Sequence, residues 1–139
     1  RSYSVEKRQL PSNHLFEDMA YFIHKVRPKV FIFENVEGLL KSKWTTSGDK
    51  GEIFHDVLTT FKKIPGYEVK HKLLHAKDYG VPQRRPRIIV IGVRDGLITS
   101  RSNSEDAVEA GFLPEPTGTY PNLIDVFSDI VDSKFEDKN

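Results

Sequence analysis

The sequence has no cysteine. That excludes disulfides, cysteine-based zinc sites and any cysteine nucleophile contributed by this chain. No apolar run is long enough to cross a bilayer, and no signal-peptide pattern opens the chain, so an intracellular protein is expected. Charge of either sign is not in excess: 21 basic and 20 acidic residues leave a formal net charge of +1. Bulk charge therefore does not point to nucleic acid, and any basic site must be local. There is no G-x-G-x-x-G stretch and hence no nucleotide-binding fingerprint, and there is no internal repeat. An initiating Met is also lacking, and the start at Arg1-Ser2-Tyr3 suggests a piece of a longer protein.

What is present is enough for one domain with a core: 139 residues, 37% hydrophobic and 29% charged. The stretch that organises it is Lys29-Val30-Phe31-Ile32-Phe33-Glu34-Asn35-Val36. Four apolar residues in a row, β-branched and aromatic, predict a strand buried on both faces, as in a parallel sheet. Glu34 and Asn35 then fall where the strand leaves the sheet, the place where open α/β sheets bind ligands. A solvated loop acid after a core strand would look the same.

Around that strand the pattern is helix, strand, helix, strand, strand. Asn13 offers an N-cap, Glu17 and Asp18 suit a first helical turn, and Leu15, Phe16, Met19, Phe22, Ile23 and Val26 recur at helical spacing up to Pro28. Residues 37–51 read as an irregular surface loop in which Trp44 anchors the loop to the body, or stacks among Lys41, Lys43 and Lys50 on a phosphate. Ile53, Phe54, Val57, Leu58, Phe61 and Ile64 mark a second helix, stopped by Pro65-Gly66. Tyr67–Ala76 and Ile88–Val93 read as strands, and their short connection through Asp78-Tyr79-Gly80-Val81-Pro82 makes them antiparallel neighbours. Residues 99–111 are polar and read as mobile. Leu113-Pro114-Glu115-Pro116-Thr117 is a stiff extended segment, and 122–130 is a short helix at best.

The second informative stretch is Gln83-Arg84-Arg85-Pro86-Arg87. If extended, it points Gln83, Arg85 and Arg87 to one face, a site for a phosphate, a carboxylate or the edge of a base. Pro86 lacks a backbone donor and argues against a fully paired central position there. Crowded cations need a partner, and Glu34 is the obvious acid. The five histidines are weaker candidates. Glu52 and His55 have Glu-x-x-His spacing but no second copy, so no metal site is expected. His71 and His75 read as exposed.

Phe33-Glu34-Asn35-Val36-Glu37-Gly38-Leu39 resembles the Glu-Asn-Val motif of the cytosine-5 DNA methyltransferases. Asp78 to Arg87 resembles the same family's Gln-x-Arg-x-Arg motif with its lead-in, and the two motifs fall in family order. Leu113–Thr117 is similar to the segment that leads toward the family's target-recognition region. The resemblance implies a partial Rossmann-like α/β sheet dependent on S-adenosylmethionine, mostly parallel with an antiparallel hairpin at its end. Residues 1–98 would be the C-terminal part of the catalytic domain, and 99–139 a linker and the start of target recognition. It further implies a reaction in which a cysteine thiolate adds to carbon 6 of a flipped cytosine, so that carbon 5 attacks the methyl donor. Glu34 would hold the proton at ring nitrogen 3, with partial burial raising its pKa. Arg87 would donate to oxygen 2, Arg85 would help hold the site beside Gln83, and Asn35 would orient the loop carrying the cysteine.

The departures limit what this chain does alone. The Pro-Cys nucleophile, the glycine-rich cofactor loop, the acidic ribose ligand and most of the target-recognition region are absent. The chain is expected to be inactive by itself and to hold few cofactor contacts. Three readings stand: a piece of a restriction-modification methyltransferase of the bacterial cytoplasm acting on double-stranded DNA, one chain of a split enzyme completed by a second chain, or a catalytically dead nucleic-acid-binding module. An RNA substrate would use the same chemistry.

Overall fold

A computed structural model describes residues 9–97, 112–119 and 122–128. The stretch 99–111, read above as mobile, and the proposed domain boundary beside it lie outside the described residues. Helix α1 spans Leu15–Val26, strand β1 Val30–Val36, helix α2 Glu52–Lys62, strand β2 Tyr67–His75 and strand β3 Pro86–Arg94. Four further residues, Leu123–Val126, form a single helical turn.

Helix α1 follows a 3-10 turn at Pro11–His14, so its N-cap is His14 and Asn13 lies in the turn before it. Glu17 and Asp18 sit in the first turn and His24 and Lys25 in the last, matching the helix dipole. The helix ends where Arg27 takes a left-handed conformation, φ 53°, and its N–H donates to Ile23 O at 2.9 Å. Pro28 follows and cannot continue the helix. The Arg27 guanidinium donates to the Pro65 carbonyl and lies 5.2 Å from the centre of the Tyr67 ring. The end of α1 is thereby fixed to the turn between α2 and β2.

The sheet has three strands in the order β1-β3-β2, and β3 is antiparallel to both neighbours. The expected mostly parallel sheet is therefore not what the described residues form. Strands β1 and β2 run in the same direction, but β3 lies between them and takes all their ladder bonds. Apolar runs show that strands are buried without showing which ones pair. The short β2–β3 connection was the better guide, and the pairing it implied is present.

Side chains alternate across the sheet. On one face Phe31, Phe33, Val69 and Val90 pack beneath α1 and α2, against Phe16, Ala20, Ile23, Ile53, Val57 and Phe61. Gly92 is required there: a Cβ at that position would lie 1.9 Å from Phe31 Cε1. On the other face Val30, Ile32 and Val36 are exposed, Ile32 at 60%. The expected burial of β1 on both faces is thus not found among the described residues. One face has helices over it; on the other no helix among the described residues covers β1, although Ile91 of the central strand, opposite Ile32, is buried there by its neighbours. No helix among the described residues is long and apolar enough to cross a membrane.

Candidate functional site

Glu34 lies inside β1, opposite Ile89, rather than beyond the end of the strand. Arg87 lies opposite Val36, two positions along β3 on the same face. A diagonal pair of this kind is within reach of long side chains. Arg87 Nε donates to Glu34 Oε1 at 2.5 Å, and an Arg87 terminal nitrogen donates to the Pro86 carbonyl at 2.8 Å. The guanidinium is therefore held from two sides. The Glu34 side chain is 52% exposed and that of Arg87 23%. The burial expected of Glu34 is not supplied by the described residues, because the face of β1 that carries it is the uncovered one.

Asn35 points the opposite way by strand alternation. Its side-chain oxygen accepts from the Val36 N–H at 2.8 Å. It lines a cleft of about 690 Å³ between the start of α1, the end of β1 and α2, together with Ser12, Asn13, Phe16, Leu39 and Ser42. No carboxylate of the described residues lines this cleft.

The structure brings Arg87 to Glu34 but does not align Gln83, Arg85 and Arg87 on one strand face. Strand β3 begins at Pro86, so Gln83 and Arg85 belong to the connection before it. That connection is closed by its own main chain: Ala76 N–H donates to Arg85 O at 3.3 Å and Gln83 N–H to Val81 O at 2.7 Å. The side chains of Gln83 and Arg85 are exposed and have no partner among the described residues. Pro86 is tolerated in the central strand because it is the first residue, opposite His75, where a missing donor costs little.

The loop after β1 is organised by two acids of α2. Trp44 is 5% exposed, and its indole N–H donates to Asp56 Oδ2 at 2.7 Å. Its main-chain N–H donates to Glu52, which also accepts from the Asp49 N–H at 3.2 Å. The His14 ring stacks on the indole, 5.1 Å between centroids. Trp44 is thus the anchor of its loop and not a free stacking surface. His55 is exposed, and no cluster of potential metal ligands occurs among the described residues. His71 packs edge-on against Phe54 at 5.2 Å, and its pKa is lowered, first by desolvation and then by the nearby Lys62 charge.

The family model for C-5 cytosine-specific DNA methylases matches residues 4–139. The chain belongs to this family. Among curated relatives, the Type II methyltransferase M.XorII of Xanthomonas oryzae is 34% identical over 134 residues, 94% of this chain and 27% of its own length. The Type II methyltransferase M.BspRI of Lysinibacillus sphaericus is 39% identical over 85 residues, 61% of this chain and 18% of its own. A prophage-encoded E. coli protein assigned as a DNA modification methyltransferase aligns in structure with a TM-score of 0.59 at 22% identity, over 84% of this chain and 30% of that one. At that identity the likeness shows an α/β methyltransferase-like fold. The chain spans less than a third of the length of these relatives.

Proposed function

We propose that this chain carries part of the base pocket of an enzyme that methylates carbon 5 of a flipped cytosine in double-stranded DNA, as in restriction-modification systems of the bacterial cytoplasm. The observation that carries the reading is the Glu34–Arg87 pair, at 2.5 Å on one sheet face, within a chain of this family. An acid beside a fixed guanidinium suits the hydrogen-bonding edge of cytosine. Glu34 Oε2 and one terminal nitrogen of Arg87 have no partner among the described residues, so both remain available to a ligand. In this reading Glu34 shares a proton with ring nitrogen 3 and accepts from the exocyclic amine, and Arg87 donates to oxygen 2. Drawing charge toward that edge makes carbon 6 easier for a thiolate to attack. Gln83 and Arg85 flank the base or the backbone beside it. Asn35, on the opposite side of β1, faces the cleft where a nucleophile-bearing loop would rest.

The thiolate cannot come from this chain, which has no cysteine. Nor do the described residues form a site for S-adenosylmethionine, the methyl donor of this family. Among the described residues the cleft at Asn35 has no carboxylate to accept from ribose hydroxyls, and the sequence has no glycine-rich loop. The chain is therefore inactive alone and needs the remainder of the domain, in the same polypeptide or on a second chain. The exposed Val30, Ile32 and Val36 and the outer edge of β1, unpaired among the described residues, are where such a remainder would continue the sheet. The direct test joins or mixes this chain with a cysteine-bearing remainder and follows transfer of labelled methyl groups to DNA. Transfer that needs both parts supports the proposal, and its absence from a folded assembly contradicts it.

A further inference from the structure

The segment after residue 112 returns to the connection that leads into Arg85 and Arg87. Tyr79 Oη donates to the Pro114 carbonyl at 3.0 Å. The Thr117 N–H donates to the Asp78 carbonyl at 2.9 Å, and Thr117 Oγ1 is 3.3 Å from the same oxygen. Lys72 on β2 pairs with Glu115 at 3.5 Å. Beyond these, the hydroxyls of Thr117 and Thr119 are 2.9 Å apart, and Thr119 Oγ1 would lie 3.6 Å from a Cβ built at Gly80. Pro114 and Pro116 restrict the segment to extended conformations before it binds, so holding it in place costs little further entropy.

The connection it grips has few other anchors. It turns through a 3-10 segment at Ala76–Tyr79 and a left-handed Gly80, φ 78°. Two of its internal bonds are long, Gly80 N–H to Lys77 O at 3.4 Å and Val81 N–H to Ala76 O at 3.3 Å, and the short one, Gln83 N–H to Val81 O at 2.7 Å, spans only two residues. Residues 81–85 are all exposed. The strap holds the connection at Asp78 and Tyr79, while the ladder holds it at His75 and Pro86. Gln83 and Arg85 lie between these two fixed points.

We infer that the Leu113–Thr119 strap is a positioning element: through Tyr79 and the Asp78 carbonyl it sets where Gln83 and Arg85 stand relative to the Glu34–Arg87 pair. The strap itself follows from the hydrogen bonds alone, and only its consequence for methyl transfer rests on the base-pocket reading above. Tyr79 and Thr117 touch no reacting atom. They act through the main chain that carries the amide and the guanidinium.

The test combines hydrogen exchange of this chain with kinetics of a methylase that unites it with a cysteine-bearing remainder. Tyr79→Phe removes one donor and Thr117→Pro removes the other two, the Thr117 N–H and hydroxyl; Thr117 is exposed and Tyr79 half-buried. In the double variant, exchange at the Gly80, Val81 and Gln83 amides should quicken about tenfold with the thermal midpoint almost unchanged. Thr117→Ser keeps both donors and should exchange like the parent chain. In the united enzyme the double variant should lose kcat with little change in KM for DNA, and Thr117→Ser should lose neither. Unchanged exchange in the double variant would overturn the inference. Faster exchange with undiminished kcat would leave the strap as a structural fact and overturn the role given to Gln83 and Arg85 in the base pocket.

Discussion

Glu34 and Arg87 are 53 positions apart in the chain and meet across the β1–β3 ladder, Nε to Oε1 at 2.5 Å. The pairing depends on register. Val36 opposes Arg87 and Glu34 opposes Ile89, so the two long side chains sit on a diagonal of the uncovered face. A slip of one residue would turn Glu34 under the helices and separate the pair.

Because the pair is partly exposed, it should add little to stability. Glu34→Gln and Arg87→Ala are each expected to change the unfolding free energy by less than about 1 kcal/mol, read from urea titration. A larger loss would mean that the pair holds the sheet together, and activity losses in these variants would then be uninformative.

Trp44 is the only tryptophan in the chain. Its emission therefore reports on the loop after β1. Asp56→Ala removes the indole partner and should cost about 1–2 kcal/mol, shifting emission toward that of a wetter tryptophan. Glu52→Ala should release the same loop by removing the acceptor shared by the Trp44 and Asp49 amides.

Gly92→Ala is expected to destabilise the chain by about 1–3 kcal/mol, because the added methyl meets the Phe31 ring in the core. Gly96→Ala serves as a comparison, since no atom of the described residues lies within 4 Å of a Cβ there. Any cost at Gly96 would come from its positive φ of 80° alone.

His71 should make stability pH-dependent. Its folded-state pKa is lowered from 6.5 by desolvation first and by Lys62 second. The unfolded chain then takes up the proton first as pH falls, so this contribution is fully present above about pH 6.5 and is lost as pH drops toward the lower folded value. Urea midpoints at about pH 7.5 and about pH 5.5 should differ less in His71→Gln than in the parent chain.

The uncovered face should promote self-association of the chain in isolation. Ile32 is 60% exposed between Val30 and Glu34 on a strand whose outer edge has no partner among the described residues. Ile32→Lys should reduce the association seen by sedimentation without lowering the thermal midpoint.

Much of this was legible in the residues because local signals were consistent. The spacing of Ile53, Val57 and Phe61 and the stop at Pro65-Gly66 located α2, and the short link after His75 paired β2 with β3. The acid of β1 and the arginine of β3 were rightly set against one another. The misreadings have physical causes. The run Val30–Phe33 carries a two-sided apolar signal, yet one side has no cover among the described residues, so burial alternates. The order of the strands depends on ladder bonds that no local pattern encodes. Gln83 and Arg85 could not share a face with Arg87 because Pro86 begins the strand between them. The contacts of the strap were invisible because Pro114, Asp78 and Thr117 take part largely through main-chain atoms.

The central claim is that Glu34 and Arg87 bind the edge of a flipped cytosine. It is tested most directly by covalent trapping on 5-fluorocytosine DNA, with the chain joined to a cysteine-bearing remainder. Glu34→Gln should slow trapping and methyl transfer by about 100-fold or more while DNA binding stays close to the parent value. Arg87→Ala should reduce the trapped fraction by at least about tenfold. Trapping at the parent rate by Glu34→Gln would contradict the account.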